Sequence, residues 1–197
     1  LRVDYTFTGD ALHQYISLDE IRGSEGWYGR RVNMKVPALR GNGMVKITDV
    51  ATGDTLFCTS FSTLFQEWQT TEEATRHSKS FENVFLFPMP RRDAQIEVVL
   101  YDTHCRQTAR FTHLVTPSDI LIRPIDAKHA APHRSIFKGG DSKGCIDVAI
   151  VAEGYTEAER ELFYKDAETI CREIMRYSPF SEHHNDFNFT AVALESR

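Results

Sequence analysis

The chain has 197 residues, 41% of them hydrophobic and 26% charged, and a net charge of −5. This is enough apolar material for a real core, with room for one large or two small domains. The mild negative charge and the lack of a Lys/Arg-rich run argue against nucleic acid and anionic membrane as partners, and no apolar stretch reaches transmembrane length.

The first residue is Leu1, and no signal peptide is visible. A domain start and the mature end of a secreted protein both fit. Val3, Tyr5 and Phe7 alternate with Arg2, Asp4, Thr6 and Thr8, the period of a half-buried strand. His13–Ile21 carries a weaker strand signal, and Gly23 to Arg31 reads as a loop with Trp27 and Tyr28. Met44–Val50 and Thr55–Phe61 flank a glycine turn and predict a hairpin. Ser62 to Arg76 predicts a short helix with Leu64, Phe65 and Trp68 on one side. Phe81–Phe87, Ala94–Tyr101, Ala109–Val115 and Asp119–Ile125 follow as strands. Short strands separated by turns predict an antiparallel β-sandwich over residues 1–125.

Residues 126–144 hold Pro132, Gly139, Gly140 and Gly144 and few large apolar residues, so they read as a linker. Cys145–Ala152 is nearly continuous apolar sequence, the pattern of a strand buried on both faces. Thr156 and Glu159 fit a capping box at the start of a helix running to Tyr177. Phe163, Ala167, Ile170, Ile174 and Tyr177 share one face of that helix, and Glu161/Lys165 and Glu168/Arg172 are i, i+4 pairs on the other. Pro179 stops the helix, and Phe187–Leu194 returns as a strand, parallel to the first if the crossover is right-handed. The expected fold is thus α+β overall, with a truncated β-α-β at residues 145–197. One such unit buries too little surface to stand alone, so it reads as the opening of a larger α/β domain.

Candidate chemistry is sparse. The four cysteines, Cys58, Cys105, Cys145 and Cys171, lack C-x-x-C spacing. Cys58 and Cys105 lie in predicted strands, where they either pair across the sandwich or stay as buried thiols. Gly140-Asp141-Ser142-Lys143-Gly144 matches G-x-S-x-G, but a coil precedes it and a strand follows, the reverse of a nucleophile elbow. His129 and His133 are four apart with Pro132 between them, and His183 and His184 are adjacent; neither pair has an obvious third ligand. No H-E-x-x-H occurs in the chain. Asn188-Phe189-Thr190 matches a glycosylation acceptor inside a predicted buried strand and reads as coincidence. The best place for a functional contribution is Glu153, Gly154, Tyr155 and Thr156. They sit at the carboxyl end of an α/β strand and at a helix start, whose free amides suit an anion.

The apolar strand into Glu153-Gly154-Tyr155-Thr156, the acidic-led helix, Ser178-Pro179-Phe180 and Asp186-Phe187-Asn188 together resemble the start of the catalytic domain of the IgA-peptidase family of secreted bacterial zinc metallopeptidases. Gly29-Arg30-Arg31-Val32-Asn33, Ser60 to Trp68, Ser80-Phe81-Glu82-Asn83-Val84 and Asp119-Ile120-Leu121-Ile122-Arg123 resemble that family's N-terminal β-domain. The resemblance implies a parent protein that hydrolyses peptide bonds, with zinc held by an H-E-x-x-H helix later in the catalytic domain and a glutamate as general base. No metal ligand or catalytic base carries over onto any residue of these 197, so the chain alone is expected to be inactive and to bind no zinc. A protein or peptide substrate, the remainder of the catalytic domain as partner, and a secreted, periplasmic or cell-surface location are likewise implied. Two other readings remain. One is a non-catalytic β-sandwich binding module for protein or glycan with an aromatic shelf from Trp27, Tyr28 or Trp68; the other is a small hydrolase using Ser142 or a histidine pair.

Overall fold

A computed structural model of the chain describes residues 1–37, 39–125 and 130–196. It is mostly β-sheet with few helices, in three open sheets, and divides into two compact units, Leu1–Ile125 and Asp126–Arg197. The first unit runs β1 (Arg2–Gly9), β2 (Gln14–Gly23), β3 (Gly43–Asp49), β4 (Thr55–Phe61), α1 (Leu64–Trp68), β5 (Lys79–Leu86), β6 (Ala94–Tyr101), β7 (Gln107–Val115) and the two-residue β8 (Arg123–Pro124). One sheet has the order β5-β1-β2-β8 and the other β4-β3-β6-β7; every pair is antiparallel except the short β2/β8 pair.

The period-2 pattern of the strands decides what is buried. Val3, Tyr5 and Phe7 of β1, Val45 and Ile47 of β3, and Ile96, Val98 and Leu100 of β6 have no solvent exposure and belong to one core. Each such side chain contributes about 1.5–3 kcal/mol by leaving water. Aromatic rings from both sheets meet there: Phe7 lies 6.0 Å from Phe61, and Tyr5 lies edge-on 6.4 Å from Phe111.

Three expectations need correction in this unit. The predicted helix over Ser62–Arg76 is five residues of α1 followed by a separate 3-10 turn, Glu73–Thr75. Thr63 caps α1 by accepting the Gln66 N–H at 3.3 Å. The Thr70 hydroxyl then donates to the Glu67 carbonyl at 2.8 Å, and two successive β-branched threonines do not prolong the helix. The predicted strand Asp119–Ile125 is mostly turn, because the Asp119 carboxylate accepts the Leu121 N–H at 2.9 Å and leaves only Arg123–Pro124 extended. Cys105 sits in the β6–β7 turn at φ +59° and is exposed, whereas Cys58 is buried in β4; the two are free thiols.

The second unit runs β9 (His133–Lys138), β10 (Ile146–Val151), α2 (Arg160–Ile174) and β11 (Phe187–Val192). Its sheet has the order β10-β11-β9, with β10 parallel and β9 antiparallel to β11. The stretch expected as a linker therefore contains a strand. Pro132 precedes it and Gly139-Gly140 follows it, which brackets the six residues. The expectation that β10 is buried on both faces also fails within this chain. β10 is an edge strand, and Ile146 and Val151 are more than half exposed.

On α2 the buried residues are Phe163, Tyr164, Ala167 and Cys171, followed by Met175. The expected face is thus rotated: Ile170 is 49% exposed and Tyr177 65%. The helix packs on β9 and β11, and residues aimed past those strands stay in water. Glu161 does not hold Lys165; it accepts Arg134 of β9 at 2.7 Å, and the Arg134 guanidinium lies 3.9 Å from the Tyr164 ring centroid. Glu168 and Arg172 form no ion pair among the described residues.

Inside the first unit, the carbonyl of Leu114 can only accept, so His113 Nδ1, at 3.3 Å, carries the ring proton. Nε2 is then an acceptor, and the Tyr5 hydroxyl of β1 donates to it at 2.6 Å. Burial pushes the Tyr5 phenol up and holds His113 below its ordinary value of 6.5. The unfolded chain therefore takes up a proton at higher pH than the folded one. Stability from this pair is full above about pH 6.5 and is lost as pH falls from there toward the lower folded value. Both tryptophans lie in this unit, so their fluorescence reports its unfolding. The urea midpoint read by fluorescence is expected to fall between about pH 7 and pH 5, and to fall less in His113→Phe. Equal slopes in the two proteins would count against the buried neutral histidine.

Candidate functional site

β10 ends at Val151, and the Ala152 N–H is still in the sheet, donating to the Val192 carbonyl at 2.9 Å. Gly154 then turns the chain at φ +82°, a conformation that favours glycine; an added Cβ would meet nothing within 4 Å, so backbone strain alone restricts the position. The turn is tied to the segment after β11. The Gly154 N–H donates to Ser196 Oγ at 2.6 Å, and the Ser196 N–H donates to the Tyr155 carbonyl at 3.0 Å.

Tyr155 points down onto α2, where its hydroxyl donates to Asp166 at 2.8 Å and its ring packs 5.3 Å from Phe163. That hydrogen bond to a carboxylate, with burial, pushes the phenol up. Thr156 donates to the Glu159 carboxylate from both its N–H, at 3.0 Å, and its hydroxyl, at 2.8 Å. These two bonds hold the Glu159 carboxyl below its ordinary value. A 3-10 turn, Glu157–Glu159, leads into α2.

The helix start thus already carries a carboxylate, which disfavours the external anion that the sequence suggested. Glu159 already supplies the negative charge, with Glu153 and Glu157 close by in sequence. The notch among Ala152, Tyr155, Arg160 and Leu194 has a volume of about 20 Å³, room for roughly one water. Glu153 to Thr156 can shape and stiffen a surface; they do not enclose a ligand.

The other sequence candidates stay apart. Ser142 lies on an exposed turn closed by the Asp141 carbonyl, which accepts the Gly144 N–H at 2.9 Å. His133 is exposed at the start of β9, and His129 lies outside the described residues. His183 Nδ1 is 2.8 Å from Asp186, and the His184 ring is edge-on to Phe137 at 6.0 Å. Among the described residues, no three His, Cys, Asp or Glu side chains gather at metal-ligand spacing. No helix among them is long and apolar enough to cross a membrane.

Residues 1–112 match the family model described as Peptidase M64 N-terminus, and residues 135–197 match the one described as IgA Peptidase M64. The chain belongs to the M64 peptidase family. Membership in a peptidase family implies a protein substrate. No curated protein matches the chain. The M64 N-terminus match ends within β7, and the IgA Peptidase M64 match begins within β9, so each match falls in one compact unit.

A residue to which sequence reading gave no role is central to the second unit of this M64 family member. Asn188, read as a chance glycosylation motif and as the end of the Asp186-Phe187-Asn188 segment but given no role of its own, is buried in β11. Its Oδ1 accepts the N–H groups of Gly139 and Gly140 at 3.0 and 3.2 Å, and its Nδ2 donates to Asp147 of β10 at 2.8 Å. It thereby pins the end of β9 and the start of β10 to the strand between them. Its position between aromatic Phe187 and Phe189, in a strand whose one other polar residue is Thr190, was the available signal.

Asn188→Ala is expected to destabilise the second unit by about 1–2 kcal/mol, since it leaves the half-buried Gly140 amide and the Asp147 carboxylate without their partner, while Gly139 keeps its bond to the Phe187 carbonyl. Hydrogen exchange localised to residues 133–151 would show the loss; unchanged protection there would contradict the clamp. Glu159→Gln should loosen the first turn of α2 at neutral pH. In the unmodified protein that cap is complete above the ordinary glutamate range and is lost as pH falls through the lowered folded value. Amide exchange of residues 157–160, measured against pH, checks both statements. A turn equally protected in variant and parent would rule out the cap.

Proposed function

We propose that the chain is the N-terminal portion of a zinc metallo-endopeptidase that acts on proteins outside the bacterial cytoplasm. Residues 1–125 form its antiparallel β-sandwich accessory domain. Residues 145–197, extended at the front by β9, form the opening of its α/β catalytic domain, with Glu153 to Thr156 as part of the site wall. The observation that carries the reading is the order of the two M64 matches along one chain, N-terminal model first and peptidase model second.

Physical support comes from β10. It pairs with β11 in unbroken register from Ile146 to Val151, carries no bulge or cation, and exposes apolar ends. Such an edge is suited to accepting a further strand. Zinc chemistry in this reading belongs to residues beyond those described. Among the described residues the donor set does not fit the metal, since the histidines are spread over both units, His13, His77, His104 and His113 in the first and His133, His183 and His184 in the second, and no three candidate ligands gather. The binding-module alternative calls for an exposed aromatic shelf. Trp27 instead packs edge-on 5.3 Å from Phe57, and Trp68 stacks on Phe65 at 6.3 Å, which leaves Tyr28 as the exposed ring of the three.

The test compares residues 1–197 with the product of the whole reading frame, using casein and IgA as substrates. The whole product is expected to cleave protein, to lose activity to phenanthroline and to regain it with zinc, while residues 1–197 alone cleave nothing. Cleavage by the isolated chain, or a metal-independent whole enzyme, would overturn the reading.

A further inference from the structure

The β2–β3 loop differs in chemistry from the rest of the chain. From Ser24 to Asn42 it carries Arg30, Arg31, Lys35 and Arg40 against one acid, Glu25, in a protein of net charge −5. It also exposes Tyr28, Val32, Val36 and Leu39, the first at 83% and the last at 79%. Its middle is anchored. The Cys58 N–H of β4 donates to the Met34 carbonyl at 2.7 Å, and Arg30 donates to the Cys58 carbonyl while lying 5.0 Å from the Phe57 ring centroid. Lys35 and Arg40 are exposed. The apolar tips are thus held out by a fixed base, an arrangement that marks an interaction surface.

Beside the loop lies a cavity of about 390 Å³, a size that accepts small ligands or single side chains. Pro37 and Arg40 line it from the loop, Met44, Ser60 and Tyr101 from the strand ends of the second sheet, and Cys105 from the β6–β7 turn. Met44 and Ser60 are direct partners in the β3/β4 register, on the face opposite Val45 and the core. The Ser60 hydroxyl is committed to the Leu39 carbonyl. Discrimination by charge therefore falls to Arg40, and the remaining lining suits an apolar group.

We propose that this loop and cavity form an exosite for an extended segment of a protein substrate. The segment places an aromatic or large aliphatic side chain in the cavity and a neighbouring carboxylate against Arg40. The inference deepens the peptidase reading and rests on it for the partner being a substrate. The excess of cations over acids on the loop selects an acidic partner. An anionic bilayer also complements apolar tips and cations, but it leaves the cavity without a role.

The test titrates isotope-labelled residues 1–197 with the blocked tetrapeptide Ala-Phe-Glu-Ala, and with Ala-Phe-Lys-Ala as the charge control. Amide shifts are expected at residues lining the cavity, with the glutamate peptide bound about fivefold tighter than the lysine peptide. Arg40→Glu, a change at an exposed position whose fold the same spectra verify, should reverse that order. Modification of Cys105 by a thiol reagent should slow in the presence of the glutamate peptide. Equal binding of both peptides, shifts elsewhere, or no shifts and no protection at millimolar peptide would overturn the exosite. So would co-sedimentation with phosphatidylglycerol vesicles that Arg40→Glu abolishes while the peptides leave the spectra unchanged, which would assign the loop to a lipid surface. The titration reads binding without turnover. A failed titration leaves the peptidase test untouched, and an inactive whole enzyme leaves the titration untouched.

Discussion

The inward stripe of β1 constrains the whole first unit. Val3, Tyr5 and Phe7 are completely buried in a strand paired on both sides, so the neighbouring strands must take the register that keeps those three inside. A slip of one residue would bury Asp4, Thr6 and Thr8 instead. The outward residues are suited to water and to one another: Arg2 holds Asp4 through two bonds of 2.8 and 2.7 Å. The register shift between β1 and β2, at Asp4/Tyr5, preserves this division. Asp19 is the extra residue, and its carboxylate accepts the Thr6 hydroxyl at 2.5 Å on the outer face.

The outer face of the second sheet follows a different rule, because the β2–β3 loop is anchored at its edge. Cys58 is buried there, and Glu97 is only 8% exposed although it belongs to the face away from the core. Burial pushes the Glu97 carboxyl up. Lys46, at 3.0 Å, and Arg110 more than offset that, and the net shift is downward. The acid thus stays ionised and fixes its two cations to the sheet. Both cations on this face are paired with Glu97, whereas Lys35 and Arg40 on the adjoining loop are exposed. The contrast between paired and exposed cations is what separates scaffold from interaction surface here.

Alternation made β1, the β3–β4 hairpin and the β6–β7 hairpin legible in the sequence, since each buries one face only. β9 was not legible for an identifiable reason. A register shift opposite Phe189/Thr190 breaks its alternation, so Ile136 and Phe137 are both partly buried. Arg134 looks like a solvent residue in sequence, yet it packs on Tyr164. The face of α2 was misread because hydrophobicity favoured Ile170 and Tyr177, while a narrow sheet covers Phe163, Tyr164, Ala167, Cys171 and Met175 and reaches Ile174 only in part. At the candidate site, the Thr156/Glu159 box was legible because it is local. The Ser196–Gly154 contact and the cavity that brings Pro37, Arg40 and Met44 beside Ser60, Tyr101 and Cys105 were not, because they join segments far apart in sequence.

The turn at Glu153 to Thr156 shows how a position that fold rules mark as functional can be filled by structural duties. A helix start after a parallel strand has unsatisfied amides and a positive end, both attractive to an anionic ligand. In this chain Thr156 gives its amide and hydroxyl to Glu159, Tyr155 gives its hydroxyl to Asp166, and Gly154 gives its amide to Ser196. These groups cap the start of α2, tie the turn to the helix and tie it to the segment after β11. The residual notch accepts little more than a water. In the proposed reading, the part this turn plays is therefore one of placement. It fixes the carboxyl end of the first parallel strand, against which a reacting group carried on another element can be positioned.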